Sequence, residues 1–257
     1  MKKFALITFT FILICLAVQI VHYFPLIYPH AYFQYHGMNQ NFSIYSDTSL
    51  PSQTTDILDD VSLRLYQIEI DQPDRIFTLF ISQESSHYET FANLAGKPAR
   101  SQGMNIQPLY YTFINYEHIK TISGQNRINP PYSLLNGDPA HIITHELIHE
   151  LIALKVGFLK SRFIPKWKVE GYAEFYASNY LRSSDPDYRF INYVENYLNG
   201  TYNRLSAGHF SYIESMLFIE YLVVVEKLNF EELIAPTVTF NSTRDKLKAW
   251  YEESEFK

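Results

Sequence analysis

The chain has 257 residues, of which 47% are apolar and 16% aromatic, enough to bury the core of one domain with a short appendage. A charged fraction of 19% is too low for a disordered chain, and a net charge of -6 without a long basic run excludes nucleic acid as a partner. The single cysteine, Cys15, excludes an internal disulfide and a cysteine-based zinc site.

An uncharged run, Phe4–Val21, follows two lysines, Lys2 and Lys3, at the start of the sequence. At about 1.5 Å per residue, a helix of this length spans roughly 27 Å, close to the thickness of a bilayer core. The run predicts an uncleaved transmembrane signal anchor within residues 1–24, which contacts the lipid bilayer through residues 4–21. By the positive-inside rule the lysines stay cytoplasmic and residues 25–257 lie outside. The alternative is a cleaved signal peptide and a secreted protein.

The part of the chain up to residue 138 predicts short strands, one helix and several irregular segments. Proline and glycine indicate an irregular connector at 24–41 and loops at 93–105 and 124–139. Branched, aromatic and periodic residues indicate the regular elements. These are strands at 42–46, 75–82, 109–115 and 118–123, and a helix within 51–70.

From residue 139 to the end, apolar residues recur at helical spacing. The predicted helices lie near 139–155, 165–181, 187–198, 206–228 and 243–254. The first of them has Asp138 and Pro139 at its start, and Gly157 is typical of its end. Strands first and helices later predict an α+β fold.

The clearest chemical motif is THELIHEL, residues 144–151, within the first of these helices. His145 and His149 lie on one face of the helix, four residues apart, so both imidazoles can reach one metal ion. Glu146 is rotated by about 100° from His145, which places it beside the metal, where it can accept a proton from water. An amphipathic core helix would explain the apolar residues of this segment but not the histidines. Glu150 is predicted to be a solvated or capping side chain.

A hydrolytic zinc site needs a third protein ligand and an open position. No further histidine follows the motif at the spacing that one known arrangement uses. Another arrangement takes a glutamate from a second helix, and Glu170, 21 positions after His149, is the candidate. Glu174 lies one turn later on the same face and is the candidate acceptor for the second N–H group of His145. We expect small residues such as Gly171 to let this helix approach the first one closely.

These two elements, HELIH at 145–149 and WKVEGYAEF at 167–175, resemble the gluzincin metallopeptidases, most closely the group called peptidase MA-like. The resemblance covers residues 138–178 closely, and the preceding strands and residues 212–222 more loosely. In that family the first glutamate of the second element is the third zinc ligand, which implies the same role for Glu170.

The resemblance implies a zincin-like peptidase domain at 25–257, with a small mixed sheet, an active-site helix and a glutamate helix. The implied activity is that of an outward-facing, membrane-anchored zinc metallopeptidase that hydrolyses peptide bonds with metal-activated water. Its partners are a peptide or protein substrate outside the membrane and one Zn²⁺ ion per chain. The implied metal ligands are His145, His149 and Glu170, with Glu174 in a supporting position and Glu146 as the catalytic general base.

The tetrahedral intermediate of peptide hydrolysis carries an oxyanion, so a further hydrogen-bond donor is expected beside the metal. Enzymes of this class use a tyrosine or a histidine from a later helix, which makes Tyr212 and His209 the catalytic candidates here. The alternative function is a surface binding module that keeps the zincin fold without catalysis. An intact Glu146 argues against that alternative.

Overall fold

The computed structural model describes residues 8–9, 18–119, 138–184 and 188–255. A mixed five-stranded sheet has the order β1-β2-β3-β5-β4. Its strands are β1 (Tyr35–Asn39), β2 (Phe42–Ser46), β3 (Phe77–Ser82), β4 (Gly103–Ile106) and β5 (Tyr111–Asn115). The central pairs, β2 with β3 and β3 with β5, are parallel, whereas β1 and β4 pair antiparallel with their neighbours. Strands β1 and β4 are therefore the two edges of this sheet.

Helices make up most of the remaining structure. They are α1 (Val18–Ile27), α2 (Thr54–Leu65), α3 (Ser85–Leu94), α4 (Pro139–Val156), α5 (Phe158–Ser161), α6 (Lys166–Ser184), α7 (Phe190–Leu198), α8 (Ala207–Glu220), α9 (Phe230–Ile234) and α10 (Phe240–Glu255). A π-helical segment, Tyr221–Val225, continues α8. The predicted α+β class is confirmed.

Three predictions from the first half of the sequence are wrong. The connector at 24–41 contains the end of α1 and strand β1, the loop at 93–105 contains the start of β4, and residues 118–119, the start of the predicted strand at 118–123, are helical. β1 and β4 are short edge strands, each stabilised by antiparallel pairing with one neighbour. Pairing of this kind leaves little periodic signal in the sequence. The rest of the predicted strand at 118–123 and most of the loop at 124–139 lie outside the described residues.

The two faces of the sheet pack against different sets of helices because neighbouring strand residues point to opposite sides. In β3, Leu79 and Ile81 belong to the main core, which also contains buried residues of α2, α4, α6 and α8. The intervening Phe80 belongs to a second, smaller core, which includes Leu26 of α1 and Phe91 of α3. The motif helix α4 therefore lies on the helix-rich face of the sheet.

The start of α4 is held by a buried arginine of α2. Asp138 caps the helix by accepting a hydrogen bond from the backbone N–H of Ala140 at 3.0 Å, as predicted. The guanidinium of Arg64 donates to Asp138 at 2.7 Å and to the carbonyl of Ala177 in α6 at 2.8 Å. Arg64 is fully buried and also pairs with Asp60 of α2 at 2.6 Å, so losing the Asp138 or Ala177 acceptor would remove one of its buried hydrogen bonds, which is unfavourable. This arginine thus fixes α4 relative to α6.

Helix α6 also packs closely on α8. A Cβ atom at Gly171 would overlap the backbone carbonyl of Ser215 in α8, so glycine is required for this approach. The aromatic ring of Trp167 likewise contacts Phe218 of α8. The prediction that Gly171 brings α6 close to α4 is therefore wrong, since the missing side chain makes room for α8.

In the part of the chain that the structure describes, one helical stretch, Ala207–Val225, is long and apolar enough to cross a membrane. Half of it is buried inside the fold, as expected for a core helix. A shorter apolar helix is α1, which continues the predicted anchor. Most of the run at 4–21 lies outside the described residues.

Candidate metal centre

Three side chains from two helices converge at one point. The Nε2 atoms of His145 and His149 lie 3.1 Å apart on α4. One carboxylate oxygen of Glu170, on α6, lies 3.4 Å from the first of these atoms and 3.6 Å from the second. The structure therefore brings together the three residues that the sequence proposes as metal ligands, and they form a group that could hold a metal ion.

The spacing of these donor atoms fits a tetrahedral ion. Atoms that bind zinc at about 2.0–2.1 Å in tetrahedral geometry lie about 3.3 Å from one another. The observed separations, 3.1, 3.4 and 3.6 Å, lie on both sides of that value. Two imidazole nitrogens and one carboxylate are also a typical donor set for catalytic zinc.

Glu174 joins a second histidine to the same centre. One of its carboxylate oxygens lies 3.1 Å from Nδ1 of His145, and the other lies 3.1 Å from Nε2 of His141. All three side chains are buried, and they too form a group that could hold a metal ion. The two groups share His145, which faces one with Nε2 and the other with Nδ1. In metal sites a carboxylate in the position of Glu174 fixes the orientation of the histidine.

The charges of the centre are mutually compensated. Burial raises the pKa of the Glu170 carboxyl, but His145 and His149 outweigh this effect and hold it well below its usual range. The pKa of Glu174 is lowered in the same way, against burial, by His141 and His145. Burial lowers the pKa of His145, whereas Glu174 and Glu170 raise it, and the net result is well above the usual value. A metal ion and a proton therefore compete for this imidazole.

Glu146 follows His145 in α4 and lies against the edge strand β4. It lines the same cleft as His145 and His149. A Cβ atom added at Gly103 of β4 would lie 2.8 Å from Cγ of Glu146 and 3.2 Å from its Oε1. The absence of a side chain at Gly103 thus leaves the space in which the Glu146 carboxylate sits. Gly103 is a residue of the site that was not predicted from the sequence, although glycine near a strand signals a close approach.

The cleft that contains these residues has a volume of about 970 Å³. It is bounded by β4 and the following turn, by the loop after α3, by the segment from α5 to α6, and by α1. Strand β4 forms a wall and does not close the centre. Residues 124–137 lie outside the described residues.

Of the two candidate oxyanion donors, Tyr212 lines the cleft and His209 does not. Tyr212 of α8 lines the cleft, and its ring centroid lies 6.2 Å from that of His145. Burial, with Glu170 as the next cause, raises the pKa of Tyr212 above its usual value, so its hydroxyl stays protonated and can donate. His209 is exposed, is not part of the cleft wall, and contacts Ser206 at the start of α8 at 3.1 Å.

The prediction that Glu150 is solvated or capping is wrong. Its side chain is 0% exposed and forms an ion pair of 2.7 Å with Arg75, which precedes β3. Asn105 of β4 donates to its other oxygen at 3.5 Å. Burial raises the pKa of the Glu150 carboxyl to about 7, despite the opposing effects of Arg75 and Asn105. Glu150 therefore links the motif helix to the segment before β3, 75 positions earlier, and to the edge strand β4, 45 positions earlier. The sequence could not reveal contacts over such distances.

Comparison with known proteins adds no family to these observations. No protein-family model matches the chain, and no curated protein is similar enough to count as a relative.

Proposed function

We propose that the chain is a zinc metallopeptidase with a gluzincin-type, zincin-like domain. The observation that carries this proposal is the convergence of His145, His149 and Glu170, whose donor atoms have the separations that a tetrahedral ion requires. The resemblance of the HELIH and EGYAE elements to peptidase MA-like enzymes supports the same function.

A bound zinc ion supplies an activated water molecule and polarises the substrate carbonyl group. The carboxylate of Glu146 accepts a proton from the attacking water and passes it to the nitrogen of the leaving amine. The hydroxyl of Tyr212 donates a hydrogen bond to the oxygen of the substrate carbonyl as negative charge develops there. Glu174 keeps the imidazole of His145 oriented.

The shape of the cleft supports a peptide substrate. Edge strand β4 forms one wall directly beside Glu146. An extended peptide can add to a sheet edge through main-chain hydrogen bonds, which hold the scissile bond in place without requiring one particular sequence. The volume of about 970 Å³ also accommodates several side chains.

The location is part of the proposal. We infer that residues 4–21 anchor the chain in a membrane and that residues 25–257 lie on the outer side. The uncharged run after two lysines and its continuation into α1 support this arrangement.

The proposal is tested by metal analysis and a peptide-library assay on the purified full chain. We expect about one zinc ion per chain, cleavage of a subset of peptides, loss of cleavage with a chelator and recovery when zinc is added. A zinc-loaded protein that cleaves no peptide in a broad library would contradict the peptidase and favour a binding module.

Replacing Gly103 with alanine is expected to reduce cleavage without releasing zinc. The new Cβ would lie 2.8 Å from Cγ of Glu146, so the flexible glutamate must move away from its position. A displacement of the order of 1 Å at a catalytic group can cost about a hundredfold in rate. Steady-state kinetics and zinc content check this result. The matched control is Gly37→Ala on the other edge strand, where the nearest atom is 3.8 Å away. Equal rates in the two variants would contradict the prediction.

A further inference from the structure

Two large apolar side chains project into solvent at the rim of the cleft. Leu159 is 71% exposed and Phe163 is 85% exposed, although both belong to a short segment in which several other residues, such as Ser161 and Ile164, line the cleft. We call this segment, residues 158–166, the α5 rim. An exposed apolar pair beside a functional cleft is typical of a surface that another apolar phase covers.

The α5 rim is also strongly basic. Lys160, Arg162 and Lys166 are exposed, and in the described part of the chain the structure shows no ion pair to them. The sequence has no acidic residue from 151 to 169, whereas the whole chain carries a net charge of -6. Basic residues interleaved with exposed Leu and Phe match the headgroup and acyl regions of an anionic membrane surface.

Helix α1 forms another part of the cleft wall. His22, Tyr23 and Leu26 of this helix line the cleft, while Val18 and Val21 are exposed. The apolar run ends at Val21, and only about 8 Å of helix separates it from Leu26, at 1.5 Å per residue. Leu26 is packed in the smaller core, which fixes α1 against the sheet. If the run is membrane-embedded, this part of the cleft wall lies at the bilayer surface.

We propose that the α5 rim rests on an anionic bilayer, so that the cleft opens toward the membrane between α1 and the rim. The surface is complementary in charge to such a bilayer, and it lies beside the predicted anchor on the same cleft. A bilayer covers both features at once, because it accepts the apolar tips and attracts the basic groups.

The contact between the α5 rim and the membrane also predicts which substrates are preferred. This prediction rests on the proposed peptidase function. A peptide bond in the cleft lies close to the headgroups. The preferred substrates are therefore segments next to a transmembrane helix or a lipid anchor, on the outer side of the membrane. Freely soluble proteins reach the cleft less efficiently.

The position of the rim can be measured without catalysis. The full chain is reconstituted with Cys15 replaced by serine, and an environment-sensitive fluorophore is attached to a cysteine at position 163. We expect increased emission, and quenching by nitroxide-labelled lipids, in vesicles of mixed phosphatidylglycerol and phosphatidylcholine, with a weaker response in phosphatidylcholine alone. The matched control is the same label at Tyr66, which is 83% exposed after α2. Equal quenching at the two positions would overturn membrane contact.

The substrate class is tested with one peptide in two forms, one soluble and one attached to the vesicle by a lipid. The triple variant Leu159→Ser, Lys160→Glu and Phe163→Ser changes side chains that do not line the cleft. We expect it to cleave the tethered peptide at least about tenfold more slowly than the wild type and the soluble peptide at the same rate. Equal loss on both forms, or no loss on either, would overturn the proposed preference. A wild type that cleaves neither form would contradict the peptidase, while the fluorescence result would still decide whether the rim contacts the membrane.

Discussion

Replacing Glu146 with glutamine lowers the rate of peptide cleavage by about 10²–10⁴-fold, because the amide cannot accept the proton from water. The substitution preserves the size of the side chain, so it still fits the space left by Gly103. Glu146 is not part of either group that could hold a metal ion. We therefore expect zinc content and thermal stability to match those of the wild type. Kinetics at saturating zinc, with metal analysis on the same preparation, measure both effects.

The matched control for this variant is Glu195→Gln, which makes the same chemical change at an exposed residue of α7 outside the cleft wall. It is expected to cleave peptides at the wild-type rate. If Glu146→Gln retained full activity, another group would have to accept the proton, and the assignment of the general base would be wrong.

Replacing Glu170 with glutamine abolishes both tight zinc binding and cleavage. A neutral amide cannot compensate the charge of the ion, and the two histidines alone leave the ion with two protein ligands. Zinc binding stabilises the folded state in proportion to the logarithm of the zinc concentration above the dissociation constant. The melting temperature of the wild type should therefore rise when zinc is added, and that of Glu170→Gln should not. Calorimetry and metal analysis provide readouts that do not depend on activity.

The companion variant His141→Asn decides which of the two groups holds the ion. His145 belongs to both groups, so changing it cannot separate them. If the ion lies between His145, His149 and Glu170, then His141→Asn keeps about one zinc ion per chain, with affinity reduced by at most about 10–100-fold through its contact with Glu174. Loss of zinc in His141→Asn with retention in Glu170→Gln would place the ion in the other group.

The parts of the centre that could be predicted from sequence are those that depend on helical spacing. Two side chains four residues apart on a helix lie on the same face. This applies to His145 and His149 in α4 and to Glu170 and Glu174 in α6. The proline and aspartate at the start of α4 and the glycine at its end also act locally, which is why its bounds are close to the predicted ones. Local rules were sufficient for the motif.

The parts that could not be predicted depend on long-range pairing. Strand β4 has four residues and is held by its antiparallel partner β5, so its own sequence, GMNI, carries no clear alternation. The contact between Gly103 and Glu146 and the ion pair between Arg75 and Glu150 follow from where that strand lies. The role of Gly171 was assigned to the wrong neighbour, because a glycine shows that something is close but not which helix it is.

The link between Glu150, Arg75 and Asn105 has a consequence for how the cleft can adapt. It ties α4, the segment before β3 and the edge strand β4 together through a buried ion pair and an amide contact. Moving β4 away from α4 would break the contact between the Asn105 amide and the buried Glu150 carboxylate, which is unfavourable. The part of the cleft wall that α4 and β4 form beside Glu146 is therefore rigid. Adjustment to substrates of different bulk must come from another part of the cleft wall, such as residues 158–166.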